Sequence, residues 1–444
     1  MKINNIEIKN FRGFAEKYFD LDGRMNVVLG NNTSGKTTLL HAIQIALGAY
    51  LQALMLIPKG KYYSRNFKKN DYVKKYSETT KSFFPELLKP EISVNADIEI
   101  GKYHIKEGRI TNINSNINWL RDSVKNSSQN TGELLEVVEE LEKTRRDADS
   151  TGVNSILPIM LSFGATRLEN NYNAAEKTKE RASREANAYK CALDEQVNFK
   201  AAFDWIYSYE KNILKELEFD GTNEAFINSI ILAIPAIKQV HIDHKNKELT
   251  AQIQMTGDEK PKWLTYDMMS DGFKAMINIV AEISYRCIQL NGFLGDKAVK
   301  ETPGIVLIDE LDLYLHPHWQ QHILADLQNA FPKLQFIVST HSPFIVQSVE
   351  SRNVITLDGY KGDSNPNMRS IEDIVVTEMN MSTARSPRYT MMLQKAEEYY
   401  QLVKAGKEKT KEGVEIKVAL DEIEAQFSDD PAYVALLKAE RNSK

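Results

Sequence analysis

Gly30-Asn31-Asn32-Thr33-Ser34-Gly35-Lys36-Thr37 stands between a short apolar run at 25–29 and a stretch of helical apolar spacing at 37–47. The octet fits G-x-x-x-x-G-K-[ST] at every position. Its glycines let the backbone curl tightly, so that successive N–H groups and the positive end of the following helix face a phosphate chain. In such a loop Asn31, Asn32, Thr33, Ser34, Gly35 and Thr38 line the cradle. Lys36 reaches the β and γ phosphates, and the Thr37 hydroxyl holds Mg²⁺. Strand, glycine loop and helix in this order predict an α/β fold with ATP and Mg²⁺ as ligands.

Three further signals lie downstream. The apolar run at 305–308 is followed by Asp309 and Glu310. A buried strand ending in two carboxylates can complete a Mg²⁺ shell with the first and polarise an attacking water with the second. Strand ends are often acidic, so the pair gains its meaning from the glycine loop. Next, Met269-Ser270-Asp271-Gly272-Phe273 opens a helical run at 275–288. It reads as a second phosphate cradle or as an ordinary serine-capped helix. Finally Phe336-Ile337-Val338-Ser339-Thr340-His341 is a strand that delivers His341 to its carboxyl end, the edge where α/β sheets hold their ligands. From there His341 can sense a γ-phosphate.

The bulk composition is that of an ordinary folded chain: 444 residues, 42% hydrophobic and 26% charged. No stretch reaches the roughly 20 apolar residues of a membrane span, and the chain opens on the alternating strand Ile3, Ile6, Ile8 without a signal-peptide core. Cys191 and Cys287 are the only cysteines, which excludes a disulfide framework or a cysteine zinc cluster. The expected location is the cytoplasm, with no membrane contact.

A net charge of −5 gives no global attraction to nucleic acid, so any such contact needs a local patch. Residues 58–90 offer one, with nine lysines and arginines against three acids and with Tyr62, Tyr63, Phe67, Tyr72 and Tyr76 between them. The mixture suits phosphate neutralisation and base stacking. Charge runs usually face water, so the first reading of the stretch is a solvated face whose aromatics pack inward.

Along the chain, alternation at 92–100 and again at 103–105 predicts two antiparallel strands. Residues 111–150 turn polar and then helical, with Leu134, Val137, Val138 and Leu141 on one face. Residues 156–163 form an apolar strand candidate, 170–218 a charged helical pattern, and 240–242 and 249–253 further strands. After a loop-rich 360–388 the end reads as helices, with Asp430-Pro431 as a helix start. There Ile416, Leu420, Ile423 and Phe427 share a face that needs a cover, from the chain itself or from a partner. The expected divisions are 1–115, 116–235 (mainly helical), 236–358 and 359–444. His316, His318 and His322 form an H-x-H-x3-H cluster without the carboxylate pattern of a metal site.

Taken together the motifs resemble the ABC-type ATPases of the SMC, RecF and OLD group. Ile8-Lys9-Asn10-Phe11-Arg12-Gly13-Phe14 is similar to that group's first strand, and Leu311-Asp312-Leu313-Tyr314-Leu315-His316-Pro317 to its partner-contacting segment. The resemblance covers 1–50 and 263–358. It implies an ABC-type P-loop head: a mixed β-sheet core with helices on both faces, an antiparallel β lobe, a helical insertion and a helical carboxy-terminal tail. It also implies ATP hydrolysis with Glu310 as base, Arg12 near the nucleotide, and ATP-sandwich dimers in which Ser270-Asp271-Gly272 closes on ATP of the opposite subunit. The glutamine of the loop between the lobes has no assigned position. No Toprim pattern follows Asp358, so no intrinsic nuclease site is expected.

Ser162-Phe163-Gly164-Ala165-Thr166-Arg167 and the end from Phe427 to Arg441 are similar to the PtuA family, ATPase subunits of Septu anti-phage systems. That likeness implies a homo-oligomer, a separate HNH nuclease partner and DNA engaged through the complex. A defence ATPase paired with a Toprim effector, as in PARIS, and a RecF-like repair clamp are the alternatives.

Overall fold

The computed structural model describes all residues except 61, 87, 125–127, 168–182, 195–198, 256, 359–364 and 425–444. In chain order, β1 (Lys2–Phe11), β2 (Phe14–Asp20) and β3 (Met25–Leu29) lead into α1 (Lys36–Ala53). A small ribbon, β4 (Lys74–Ser77) and β5 (Ser82–Pro85), precedes β6 (Glu91–His104), β7 (Arg109–Asp122) and β8 (Ser128–Gln129). Then come α2 (Gly132–Arg146), α3 (Ala148–Thr151), β9 (Val153–Ile156) and β10 (Ile159–Phe163). Next are α4 (Arg184–Tyr189), α5 (Lys200–Ile213), α6 (Thr222–Ala233), β11 (Ile237–Asp243), β12 (Glu248–Ile253) and β13 (Lys262–Thr265). The remainder is α7 (Asp271–Asn291), α8 (Ala298–Glu301), β14 (Gly304–Ile308), α9 (Pro317–Gln320), α10 (Ile323–Ala330), β15 (Leu334–Ser339), α11 (Pro343–Gln347), β16 (Val354–Thr356), α12 (Ile371–Thr377), α13 (Pro387–Lys404) and α14 (Lys411–Glu424).

Five strands pair in the order β10-β14-β15-β3-β16, all parallel. Every residue of β3, β10, β14 and β15 is buried, which is why their sequences are continuous apolar runs: both faces of the sheet are covered. A second, antiparallel sheet runs β2-β1-β6-β7-β8 with β9 on β6. The core sheet is thus parallel, and the antiparallel strands expected alongside it form separate sheets, this one and β11-β12-β13.

α1 lies between the two main sheets, touching β1, β6 and β7 on one side and β15 on the other. Every residue from 39 to 51 of this helix is buried. At roughly 1.5–3 kcal/mol for each large apolar side chain removed from water, this burial anchors the glycine loop at its start. Trp119 Nε1 donates to Ala46 O at 3.0 Å, and the buried Gln335 side chain bonds both backbone groups of Ile3 at 2.8 Å, stitching β15 to β1.

Several expectations are corrected here. Residues 103–105 are no separate strand, since β6 runs unbroken to His104 and its partner is the polar β7. The interval 116–235 also supplies β9 and β10 to the two main sheets. The chain divides into compact units at Met1–Met379 and Asn380–Lys444, so α12 belongs with the first. In the second unit α13 and α14 pack on each other; Leu420 is buried and Ile416 half-buried, while Val414 and Val418 are exposed. Phe427, the side chain of Ile423, the Asp430-Pro431 start and the stretch to Arg441 lie outside the described residues. No helix among the described residues is long and apolar enough to cross a membrane.

Candidate nucleotide site

α1 begins in an unusual way. Its cap residue Gly35 has φ 107°, no side chain caps the first turn, and no acid lies within it. The free N–H groups and the positive end of the dipole are therefore left for an anion. A Cβ at Gly35 would stand 2.6 Å from the Phe14 ring, so positive φ and lack of room both require glycine. Thr33 (φ 76°) and a bond from Ser34 N to Asn31 O at 3.1 Å complete the curl. Ser34 Oγ is buried and has no hydrogen-bond partner among the described residues.

Lys36 Nζ donates to Gly30 O at 2.8 Å and Asn31 O at 3.2 Å, so the loop's own carbonyls hold the ammonium. Burial pulls its pKa below the usual lysine range, opposed by the carboxylates of Asp309, Glu310 and Asp358. Asp358 in turn accepts the Asn31 N–H at 2.8 Å.

Thr37 Oγ1 donates to Asp309 Oδ2 at 2.8 Å, joining residues 272 positions apart. The other carboxylate oxygen of Asp309 accepts from Ser339 Oγ, and Ser339 Oγ accepts the Glu310 N–H at 2.8 Å. Arg167, 3% exposed, donates to Asp309 O at 2.8 Å and to Glu310 O at 3.1 Å. Desolvation lowers its pKa, against the carboxylates of Asp312 and Asp309. These bonds hold Glu310 at φ 50°, a left-handed conformation that costs an L-residue about 1–2 kcal/mol. Their effect is to fix residue 310 at the sheet edge beside the loop.

His341 is exposed at the end of β15, and its backbone N–H reaches Asp312 Oδ1 at 3.2 Å; Thr340 Oγ1 bonds the same oxygen at 2.6 Å. Ser342 Oγ donates to Gln320 Oε1 at 2.5 Å, and Gln320 Nε2 to Leu315 O at 2.8 Å. The segments after β14 and after β15 thus form one hydrogen-bonded unit.

Ser270 precedes α7 in cap position, but its exposed hydroxyl accepts no bond from the helix. By contrast Ser183, Ser342, Ser370 and Ser386 each accept a first-turn N–H. Asp271 follows in the first turn. Gly272 sits where a Cβ would meet Tyr314 O at 2.7 Å, and Phe273 packs edge-on against Trp319 with centroids 4.4 Å apart.

Arg12 lies on the turn after β1. Its Nε donates to the fully buried Asp71 at 2.8 Å, and its N–H to Asp71 O at 2.9 Å. The contact of this turn with the glycine loop is made by Phe14. Of the three histidines, His316 Nδ1 accepts the His318 backbone N–H at 3.3 Å, and no cluster of three or more His, Cys, Asp or Glu side chains that could hold a metal occurs among the described residues.

The residues fit ATP and Mg²⁺. An orphaned Ser34 hydroxyl, an uncapped helix start, a lysine inside the loop and a hydroxyl–carboxylate pair are the donor set such a ligand requires. Sequence reading missed roles for Ser339, Arg167, Asp312, Gln320 and Asp358. Only Arg167 left a signal, a lone cation four residues past an apolar strand.

The family described as "AAA domain, putative AbiEii toxin, Type IV TA system" matches residues 25–347. The chain is similar to the retron Vc95 probable ATPase of Vibrio cholerae serotype O1 biovar El Tor, at 24% identity over 94% of this chain and 86% of that protein. It is similar to Septu protein PtuA of Bacillus thuringiensis at 34% identity, over 28% of this chain and 34% of that one. Among solved structures, the SMC head domain from Thermotoga maritima aligns over 80% of this chain and 94% of its own at 13% identity and a TM-score of 0.39.

Proposed function

The chain belongs to this AAA-domain family, and we propose that it is the ATP-hydrolysing subunit of a two-component anti-phage defence system. In this reading it oligomerises through ATP-sandwich dimers, and its nucleotide state controls a separate HNH nuclease acting on DNA. The helical pair within Asn380–Lys444 is the region assigned to oligomerisation and partner docking.

The observation that carries the nucleotide chemistry is the Thr37–Asp309 hydrogen bond at the open start of α1. Lys36 exchanges its loop carbonyls for phosphate oxygens. Thr37 and Asp309 would hold Mg²⁺, which when bound would neutralise phosphate charge. Glu310, positioned through its backbone by Arg167 and Ser339, accepts a proton from water. His341, exposed just past the end of β15, would sense the γ-phosphate. Ser270-Asp271-Gly272 presents a free hydroxyl and helix start to the nucleotide of a second copy. Support for the defence role comes from the similarity to a Septu protein and to retron ATPases.

Glu310→Gln keeps the shape and removes the base, so ATP binds normally while hydrolysis falls about 10²–10⁴-fold. Hydrolysis at the wild-type rate in a phosphate-release assay would assign the base elsewhere.

A second reading is favoured by coverage, since the retron ATPases align over nearly the whole chain and the PtuA sequences over less than a third. Here the chain is the ATPase of a retron. Mass spectrometry of the assembly from its native locus separates the two. A stoichiometric HNH nuclease without retron components supports the first, and retron components without that nuclease support the second.

A further inference from the structure

The basic, aromatic segment at 58–90 divides in two. Phe67 is buried edge-on against Phe11, and Tyr63 is half-buried against the core. The ribbon β4–β5 does the opposite. Tyr76 and Phe83 face each other across it with ring centroids 5.1 Å apart, yet they are 48% and 64% exposed. Phe84, opposite Lys75 on the other face, is also exposed. A two-stranded ribbon gains little stability of its own in water. Leaving three aromatics uncovered on one gives up the burial that would stabilise it, which points to a ligand.

Charge identifies the ligand. Lys68, Lys69, Lys74, Lys75, Lys81 and Lys89 are all exposed, against an exposed Glu78 and a half-buried Glu86. Asp71, the remaining acid of this stretch, is fully buried and bound to Arg12. Beside the ribbon runs an open groove of about 810 Å³ with Lys69, Lys74, Lys89 and Tyr72 in its wall against a single acid, Glu86. Cations along a groove next to solvent-facing rings are the elements that track a phosphate backbone and stack its bases.

We infer that the β4–β5 ribbon and its groove bind single-stranded nucleic acid, with Tyr76, Phe83 and Phe84 stacking bases and the lysines neutralising phosphates. The site needs no nuclease partner and stands apart from that part of the proposed function. It is also wired to the nucleotide loop. Tyr72 bridges Phe11, Asp71 holds Arg12, and the same turn rests Phe14 on Gly35. Strand engagement and nucleotide state are thereby joined through one β-turn.

The test is fluorescence anisotropy of the full chain with a labelled oligothymidylate at several salt concentrations. Binding is expected to weaken with salt. Phe83→Ala should weaken it about 5- to 150-fold, the range for losing one base stack. The double variant Lys74→Ala, Lys75→Ala should flatten the salt slope by about 1.4, at about 0.7 per phosphate contact. Titration with a fluorescent ATP analogue, unchanged in each variant, verifies folding. No binding by the wild type, equal binding by both variants, or a preference for duplex over single strand would overturn the inference. So would variants that keep the oligonucleotide but lose a co-purifying protein, which would make the ribbon a protein dock.

Discussion

The helices that begin at Lys36 and at Asp271 both start without a side-chain cap and are both buried behind their first turns. Their surroundings differ. Around α1 the charged groups and the metal-side hydroxyl already hold one another, Lys36 on loop carbonyls, Thr37 on Asp309 and Asp309 on Ser339, while the Ser34 hydroxyl is buried without a partner among the described residues. At α7 the Ser270 hydroxyl bonds nothing in its helix and faces solvent. A phosphate arriving at α1 must displace existing bonds, which favours a strongly charged, metal-bound ligand. One arriving at α7 meets an exposed hydroxyl that bonds nothing in its helix, and in the proposed dimer its companions come from a second copy. The first is a complete half-site and the second an open one.

Lys36→Ala attacks the complete half-site and should have the largest effect. It removes the cation that offsets the triphosphate, and a fluorescent ATP analogue should show binding abolished or lowered more than a hundredfold, by more than about 2.8 kcal/mol. Unchanged affinity would mean that the loop is not the nucleotide site.

Ser270→Arg tests the open half-site. ATP binding by the isolated chain should persist while ATP-dependent dimerisation, followed by light scattering, is lost. Mixing this variant with Lys36→Ala sharpens the comparison. One composite site of the mixed dimer then pairs an intact Lys36 with an intact Ser270, and partial hydrolysis should return. Mixed dimers that form yet stay inactive would leave α7 without a role across the interface.

Ser339→Ala is the mildest change, touching only the scaffold between the acids. It deprives Asp309 and the Glu310 N–H of one partner each, with an expected destabilisation of about 1–3 kcal/mol in urea unfolding. A loss below about 0.5 kcal/mol would show that Arg167 alone suffices to hold that strand end.

The glycine loop, the acidic strand and His341 were legible because each is a local pattern beside a continuous apolar run. The β7 strand was not. Its sequence from Ile110 to Asn118 is rich in asparagines that join neighbouring strands on a solvent-facing side, Asn95 to Asn116 at 2.7 Å and to Asn118 at 2.9 Å. Only Ile117 and Trp119 are buried hydrophobics there, too few to mark a strand by period. Ser339, Arg167 and Asp358 act on residues more than 25, 140 and 320 positions away, and no local pattern announces such contacts. At Ser270 the sequence allowed either a cap or a ligand group. In the structure its hydroxyl accepts no bond from the first turn of α7, so it does not act as the cap.

The bond from the Asn31 amide to Asp358 has a consequence for signalling along the chain. Asp358 comes two residues after β16, just past Leu357, whose N–H still bonds Leu29 O of β3 at 3.0 Å. A loop that reshapes around phosphate therefore tugs on a leash whose far end is the exit toward the remaining residues. Amide exchange at Asn31, slow with Asp358 present and faster in Asp358→Ala, would register whether the leash is taut.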